Sequence, residues 1–203
     1  MDRMIINEKI SYIEGTENPL SADVGIVKAE NCHWLYDVGN GEQAISDLKG
    51  SYHVVLSHFH PDHIGNISRI PVRELYLSKE THRYIPKEVL ASCSVQVVTK
   101  PVKIGSLHIF PLPSSHAKGC LGFEIDGTYA FVGDALYCKA KKNACVYNTQ
   151  LLKAEIEVLK NLSAPFVLVS HFKGFIRRRT EVLEELETIY DMRSKESSEI
   201  WIG

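Results

Sequence analysis

The run His58-Phe59-His60-Pro61-Asp62-His63 places three imidazoles and one carboxylate within six residues. Imidazole nitrogens and carboxylate oxygens are the ligands of a catalytic zinc-type site, which keeps one coordination position open for water. In extended backbone His58 and His60 project to the same side, because side chains alternate with period two. Asp62 and His63 are adjacent and cannot do this in a strand. A helix beginning near Asp62 would let the two serve a second, neighbouring ion. Pro61 and Gly65 favour the tight turn that would aim several of these groups at one point. Buried imidazoles and charge at this density require a partner.

Two ions need more ligands than four, and three later residues qualify. His116 follows the apolar stretch that ends at Leu112, Asp134 follows Phe131-Val132-Gly133, and His171 follows Phe166-Val167-Leu168-Val169-Ser170. Each stands at the end of an expected strand. Together with the first cluster they suggest the common edge of a sandwich of sheets.

The elements that must position these groups can be read from pattern. Tyr52 to Ser57 is an apolar, β-branched strand running straight into His58. Met4 to Ile13 suits a strand pair or one long strand, and the runs 24–28 and 33–38 suit a hairpin. Further strands are expected at 74–77, 95–98, 107–112 and 166–169. Asp126-Gly127 signals a hairpin between strands 121–125 and 129–132. Helical spacing of apolar residues predicts a short helix over 42–48, one between 78 and 90, and amphipathic helices over 148–161 and 180–193. Strands outnumber helices and the helices are dispersed, which gives a mixed α/β layered domain. At 203 residues the chain is expected to form a single domain over 1–203.

Composition excludes several classes. Lys plus Arg is 23 and Asp plus Glu is 25, a formal charge of −2 without the basic excess of a nucleic-acid binder. No apolar run reaches the roughly 20 residues that span a bilayer. The start of the chain loses its apolar character too early for a signal peptide, so a cytoplasmic protein is expected. The cysteines are Cys32, Cys93, Cys120, Cys138 and Cys145, an odd number with no C-x-x-C pair, and are expected as reduced thiols. The runs at Lys139, Lys141 and Lys142 and at Arg177-Arg178-Arg179 read as solvated surface, with a substrate-binding lysine as the alternative for the first. Tyr137 is a candidate pocket residue, and Cys120 reads as a packing residue. His33, His53, His82 and His108 fit no ligand pattern and are read as structural.

The sequence resembles the metallo-β-lactamase superfamily, whose H-x-H-x-D-H motif is matched by His58, His60, Asp62 and His63. Asp37-Val38-Gly39 is similar to that family's early D-x-G, and His116, Gly133-Asp134 and His171 to its remaining motifs. The resemblance implies an αββα sandwich of two mixed β-sheets flanked by helices, with the site along one edge. It implies a first metal held by His58, His60 and His116, and a second held by Asp62, His63 and His171. Asp134 would bridge the two, and Asp37 would orient the cluster by hydrogen bonds. The metals implied are two divalent ions, zinc first, with iron or manganese as alternatives. The implied reaction is hydrolysis of an ester, thioester or lactone in a small molecule through a bridging hydroxide, with Asp62 positioning it or shuttling a proton.

The ligand spacing is similar to that of glyoxalase II, but 135–142 departs from that family's glycine- and cysteine-containing segment. The chain after His171 is also too short for its glutathione-binding extension, so a glutathione thioester is not the expected substrate. A phosphodiesterase acting on a small nucleotide-like substrate is the alternative within hydrolases. A di-iron oxidoreductase and a non-catalytic relative are the alternatives from other classes.

Overall fold

Val54 and Leu56 leave their strand on one side and Val55 on the other, and this alternation sets the layering of the molecule. The structure is a computed structural model that describes residues 3–142 and 144–202. In its first half run β1 (Met4–Ile5), β2 (Ile10–Ile13), β3 (Thr16–Glu17), β4 (Leu20–Ser21), β5 (Val24–Ala29), β6 (Cys32–Tyr36) and β7 (Tyr52–Val55). Helix α1 (Pro61–Ile64) follows, then β8 (Val72–Leu77), α2 (Lys79–His82), α3 (Lys87–Ser92) and β9 (Ser94–Val97). The second half contains β10 (Val102–Ile104), β11 (Leu107–Pro111), β12 (Leu121–Ile125), β13 (Tyr129–Gly133), β14 (Lys139–Lys141) and β15 (Ala144–Asn148). It closes with α4 (Thr149–Lys160), β16 (Phe166–Val169), β17 (Ile176–Arg178), α5 (Arg179–Asp191) and β18 (Glu199–Ile202).

Two large mixed sheets form the centre. The first is ordered β1-β2-β5-β6-β7-β8-β9, antiparallel up to β6 and parallel beyond it. The second is ordered β10-β11-β12-β13-β16-β17, antiparallel except for the parallel pair β13–β16. Their facing sides share one core, in which Trp34, Tyr36 and Val55 meet Ile109, Phe123 and Phe131. The outer face of the first sheet packs Val54, Leu56 and Leu75 against Ile64, Ile67 and Val89. The outer face of the second packs Val132, Val167 and Val169 against Leu152, Ile156 and Leu159 of α4 and Val182 and Leu186 of α5. The result is the expected αββα sandwich.

Local chemistry explains the main boundaries. Asn148 caps α4 by accepting the amides of Gln150 and Leu151. Arg179 donates to the carbonyls of Leu159, Lys160 and Leu162, closing the other end of α4. That arginine is thus a structural clasp and not a freely solvated one. Among the described residues no helix is long and apolar enough to cross a membrane.

The structure departs from sequence expectation in four places. The stretch 42–48 forms only a short 3-10 turn at Gln43–Ile45. The expected helix between 78 and 90 is broken into α2 and α3 by Pro86, which has no amide to continue the ladder. The lysines are exposed, as expected, but Lys139–Lys141 also form an unexpected strand, β14, paired with β15 and through it with β18. Finally, Cys138 and Cys145 are joined in a disulfide, correcting the expectation of reduced thiols throughout. Their separation of seven residues signals nothing by itself, but the β14–β15 pairing brings the Cα atoms within 5.5 Å. Cys32, Cys93 and Cys120 are free.

Candidate metal centre

Strands β6, β7, β11, β13 and β16 end on one edge of the sandwich, and every expected site residue lies just beyond one of those ends. The parallel pairs β6–β7 and β13–β16 each end on one side of their own sheet, and the donor groups, drawn from both sheets, show the two sides to be the same edge. Strand β11 is antiparallel to β12, which is antiparallel to β13, so its end joins the same edge. Asp37 follows β6, the His58 run follows β7, His116 follows β11, Asp134 follows β13 and His171 follows β16. His60 precedes α1 in extended backbone and Pro61 opens that helix, so Asp62 and His63 turn away from the strand direction. Asp37 and His171 have φ of +60° and +61°, strained for side-chain-bearing residues. At Gly133, where φ is +55°, a Cβ would come within 2.9 Å of the Ser57 Cβ, so only glycine fits.

These turns gather the donor atoms into two groups, His58, His60 and His116 in one and Asp62, His63, Asp134 and His171 in the other. In the first, His60 Nδ1 lies 3.1 Å from His116 Nε2. In the second, Asp62 Oδ2 lies 3.0 Å from His171 Nε2 and 3.4 Å from His63 Nε2. Asp134 Oδ2 stands between them, 3.4 Å from His116 Nε2, 3.3 Å from His63 Nε2 and 3.8 Å from His171 Nε2. Ligands bound at about 2.1 Å in a tetrahedron are separated by about 3.4 Å, so this spacing suits an ion in each group. His58 Nε2, His63 Nε2 and Asp134 Oδ1 are buried with no hydrogen-bond partner. Buried polar atoms are nearly always satisfied, and divalent cations would satisfy these. The residues present fit two metals, with Asp134 the one able to reach both.

A hydroxyl that the sequence reading missed organises the buried side of both groups. Ser57 Oγ donates to Asp37 Oδ2 at 2.7 Å and stands 3.0 Å from His58 Nδ1. The Ser57 amide donates to Asp37 Oδ1 at 2.7 Å, and His63 Nδ1 lies 2.7 Å from Asp37 Oδ2. With its donor role spent on Asp37, Ser57 accepts from His58 Nδ1–H, which leaves the His58 Nε2 lone pair for the cleft. Asp37 does the same for His63. This is the orienting role the resemblance implied for Asp37, extended to Ser57.

Electrostatics follow the same layout. Burial, reinforced by the neighbouring imidazoles, pushes the His58 pKa far down and that of His60 down as well, favouring neutral donors. Burial opposes charge on His63, but the Asp37 and Asp134 carboxylates outweigh it and push its pKa up to about 10. An ion bound there must displace that proton from Nε2. The hydrogen bond to Asp62 raises the pKa of His171. Burial of Asp62 is outweighed by His171 and His63, which hold its carboxyl below the usual range.

The donors face a cleft of about 690 Å3. His60, Asp62, His116, Asp134 and His171 form its floor, while the β3–β4 hairpin, Phe172 and Lys173 form its rim. Asp23 braces the two sides: its Oδ1 accepts the Gly15 amide at 3.2 Å and its Oδ2 the His171 amide at 2.9 Å. Neither the hairpin nor Asp23 was visible as a site feature in the sequence, since short polar strands carry no hydrophobic alternation.

Other candidates fall elsewhere. Lys139, Lys141 and Lys142 do not line the cleft, and Lys141 pairs with Glu199 at 3.0 Å. Tyr137 stands behind His116 and donates to the Ser170 carbonyl at 2.8 Å. Cys120 is buried, and burial pushes its thiol pKa up to about 12, so it is unreactive packing. His53 and His108 pair with Glu74 and Glu124, and neither they nor His33 and His82 join the donor groups.

No protein-family model matches the sequence, and no curated protein sequence matches it. Solved structures match the fold. DIM-1 metallo-β-lactamase superimposes with a TM-score of 0.69 at 12% identity, over 95% of this chain and 98% of that one. An archaeal metallo-β-lactamase superfamily protein from Sulfolobus tokodaii gives 0.60 at 17% identity, over 93% and 88%. The flavodiiron protein from Giardia intestinalis gives 0.68 at 11% identity over 92% of this chain, which spans 59% of that one. Identities this low establish a shared fold alone, and the αββα sandwich is that fold.

Proposed function

From the metallo-β-lactamase fold of this chain, we propose a binuclear metal-dependent hydrolase, a single domain over residues 1–203, that cleaves an ester, thioester or lactone bond in a small molecule. The observation that carries this reading is Asp134 Oδ2 within 3.4 Å of donors from both groups, on the floor of an open cleft. His58, His60 and His116 would hold one ion, and Asp62, His63 and His171 the other, with Asp134 shared. Bound there, two divalent cations, zinc first, would supply a water whose pKa is lowered to about 7 and a Lewis acid for the scissile carbonyl.

The chain's own residues do the rest. Asp37 and Ser57 hold the imidazoles in the tautomer that presents Nε2. Asp62, which would share the second ion with His63 and His171, would orient the attacking water and carry its proton toward the leaving group. His58, His63 and Asp134 are buried on the inner side of the donor groups, where charge stabilisation is strongest. Carbonyl hydrolysis by this set requires no serine or cysteine nucleophile, and the unreactive Cys120 accords with that. The formal charge of −2, without a basic excess, supports an enzyme that does not act on nucleic acid.

The test is turnover of thioester, lactone and bis-p-nitrophenyl phosphate probes by protein whose metal content is measured. Two bound divalent ions and chelator-sensitive thioester or lactone hydrolysis are expected. Full activity after chelation would refute the metal reading, and phosphodiester turnover larger by orders of magnitude would refute the bond assignment.

A further inference from the structure

The cleft has a floor that takes cations and a rim with an unspent negative charge. Of the carboxylates lining it, Asp62 and Asp134 belong to the metal donors, and Asp23 is committed to the Gly15 and His171 amides. Glu14 and Glu17, on the β3–β4 side, are exposed and make no hydrogen bond or ion pair through their side chains among the described residues. Lys173 is the one lysine or arginine among the described residues lining the cleft, and it too is unpaired. Arg177 lies over the Phe172 ring, but its guanidinium is committed to Glu185. In the same cleft lining, Leu20 is 53% exposed and Phe172 39% exposed. The hairpin that carries Glu17, with Glu14 just ahead of it, is also tied to the floor, because the Ala22 amide donates to the Asp62 carbonyl at 2.9 Å.

A polyanionic substrate would need arginines or several lysines at this mouth, and the rim lacks them. Two free carboxylates sharing a cleft with exposed leucine and phenylalanine suit an alkylammonium, whose charge is met by the acids and whose methyl groups cover the apolar surface. We infer that the substrate carries such a cationic group, seated against Glu14 and Glu17 while its scissile carbonyl faces the metal floor. This rests on the reading of the cleft as a hydrolytic site. For a thioester, water adds its oxygen to the carbonyl carbon and the C–S bond breaks. The products are a carboxylic acid and a thiol, with no other reactant.

The test separates binding from turnover. Hydroxamates of equal length ending in trimethylammonium, methyl or sulfonate groups are titrated calorimetrically into the zinc-loaded protein, so the metal-binding head is constant. The cationic ligand is expected to bind about tenfold or more tightly than the sulfonate at low ionic strength, and the ratio to shrink at high salt. In Glu14→Gln/Glu17→Gln protein of unchanged zinc content the ratio should fall to about one to three, and Lys173→Gln should widen it. Equal binding of the three ligands, or a preference for sulfonate, overturns the inference. Acetylthiocholine and S-acetyl-2-mercaptoethanesulfonate are then compared as substrates. Failure of both with the binding preference intact would overturn the hydrolase reading alone.

Discussion

Replacing Ser57 with alanine removes one oxygen and tests how the metal donors are held. Ser57 is 1% exposed and His58 is fully buried, so water cannot take the place of the lost hydroxyl. The His58 Nδ1–H, 3.0 Å from Ser57 Oγ, then has no acceptor. Asp37 Oδ2 loses one donor but keeps His63 at 2.7 Å. An unsatisfied buried donor costs about 1–3 kcal/mol. His58 can escape that penalty only by turning its ring or exchanging tautomer, and either moves the Nε2 lone pair off the ion. Loss of such an outer partner typically costs about 10–100-fold in metal affinity. The effect should fall first on the group containing His58, since His63 retains Asp37. Competition with a chromophoric chelator, followed by metal analysis, would resolve two zinc affinities in the parent and show the His58 group weakened by that factor in the variant. Unchanged affinity in both groups, in folded Ser57→Ala protein, would refute the hydrogen-bond assignment.

Other outcomes follow from the same geometry. His58→Ala or Asp134→Ala should abolish turnover and lower metal content, and Asp134→Ala alone should weaken both ions, as read by metal analysis. Glu155, fully buried on α4 with neither carboxylate oxygen bonded, has its pKa raised by burial, so the folded state holds its proton. A raised carboxylic pKa gives stability that is present below the unfolded pKa, about 4.5, and lost as pH rises through the folded value. Glu155→Met should therefore stabilise the protein by about 1–3 kcal/mol near pH 8 and by less near pH 5, measured by urea unfolding. Reducing Cys138–Cys145, which closes a loop between residues seven apart, should cost at most about 2.5 kcal/mol by loop entropy. That corresponds to roughly 5–10 °C in melting temperature for a domain of this size.

Much of the site was legible because ligand chemistry is local in type and periodic in position. His58, His60, Asp62 and His63 announce themselves by identity and spacing, and His116, Asp134 and His171 each follow an apolar run that reads as a strand. The layered architecture was legible for the same reason, since the alternation in 52–57 and 121–125 survives folding unchanged. What was not legible depends on contacts across the chain. Ser57 is an ordinary serine until Asp37 and two imidazoles close round it. Asp23 gains its role only when Gly15 and His171 arrive from opposite sides. The Cys138–Cys145 bond requires the β14–β15 pairing, and β14 was masked by its lysines, since that strand is exposed along its whole length.

The distribution of strain shows why the chemistry sits at this edge. Regular strands satisfy their backbones and leave side chains normal to the sheet, so they cannot aim seven donors at two points. The chain departs from regular geometry where aiming is required: left-handed backbone at Asp37, Gly133 and His171, a register shift between Phe131 and Gly133, and a helix started by Pro61. Conformations of this kind cost on the order of 1–3 kcal/mol each at residues other than glycine. At this edge they are held by the Asp37–Ser57–His63 network and by Asp23 on the His171 amide. Close approach of the second sheet to the first is what makes Gly133 necessary, because Ser57 occupies the space a side chain would need. The same hydroxyl that orients the His58 donor therefore also fixes how near Asp134 comes to the other sheet. Ligand geometry and sheet packing meet at Ser57, so a larger residue there should disturb Asp134 as well as His58.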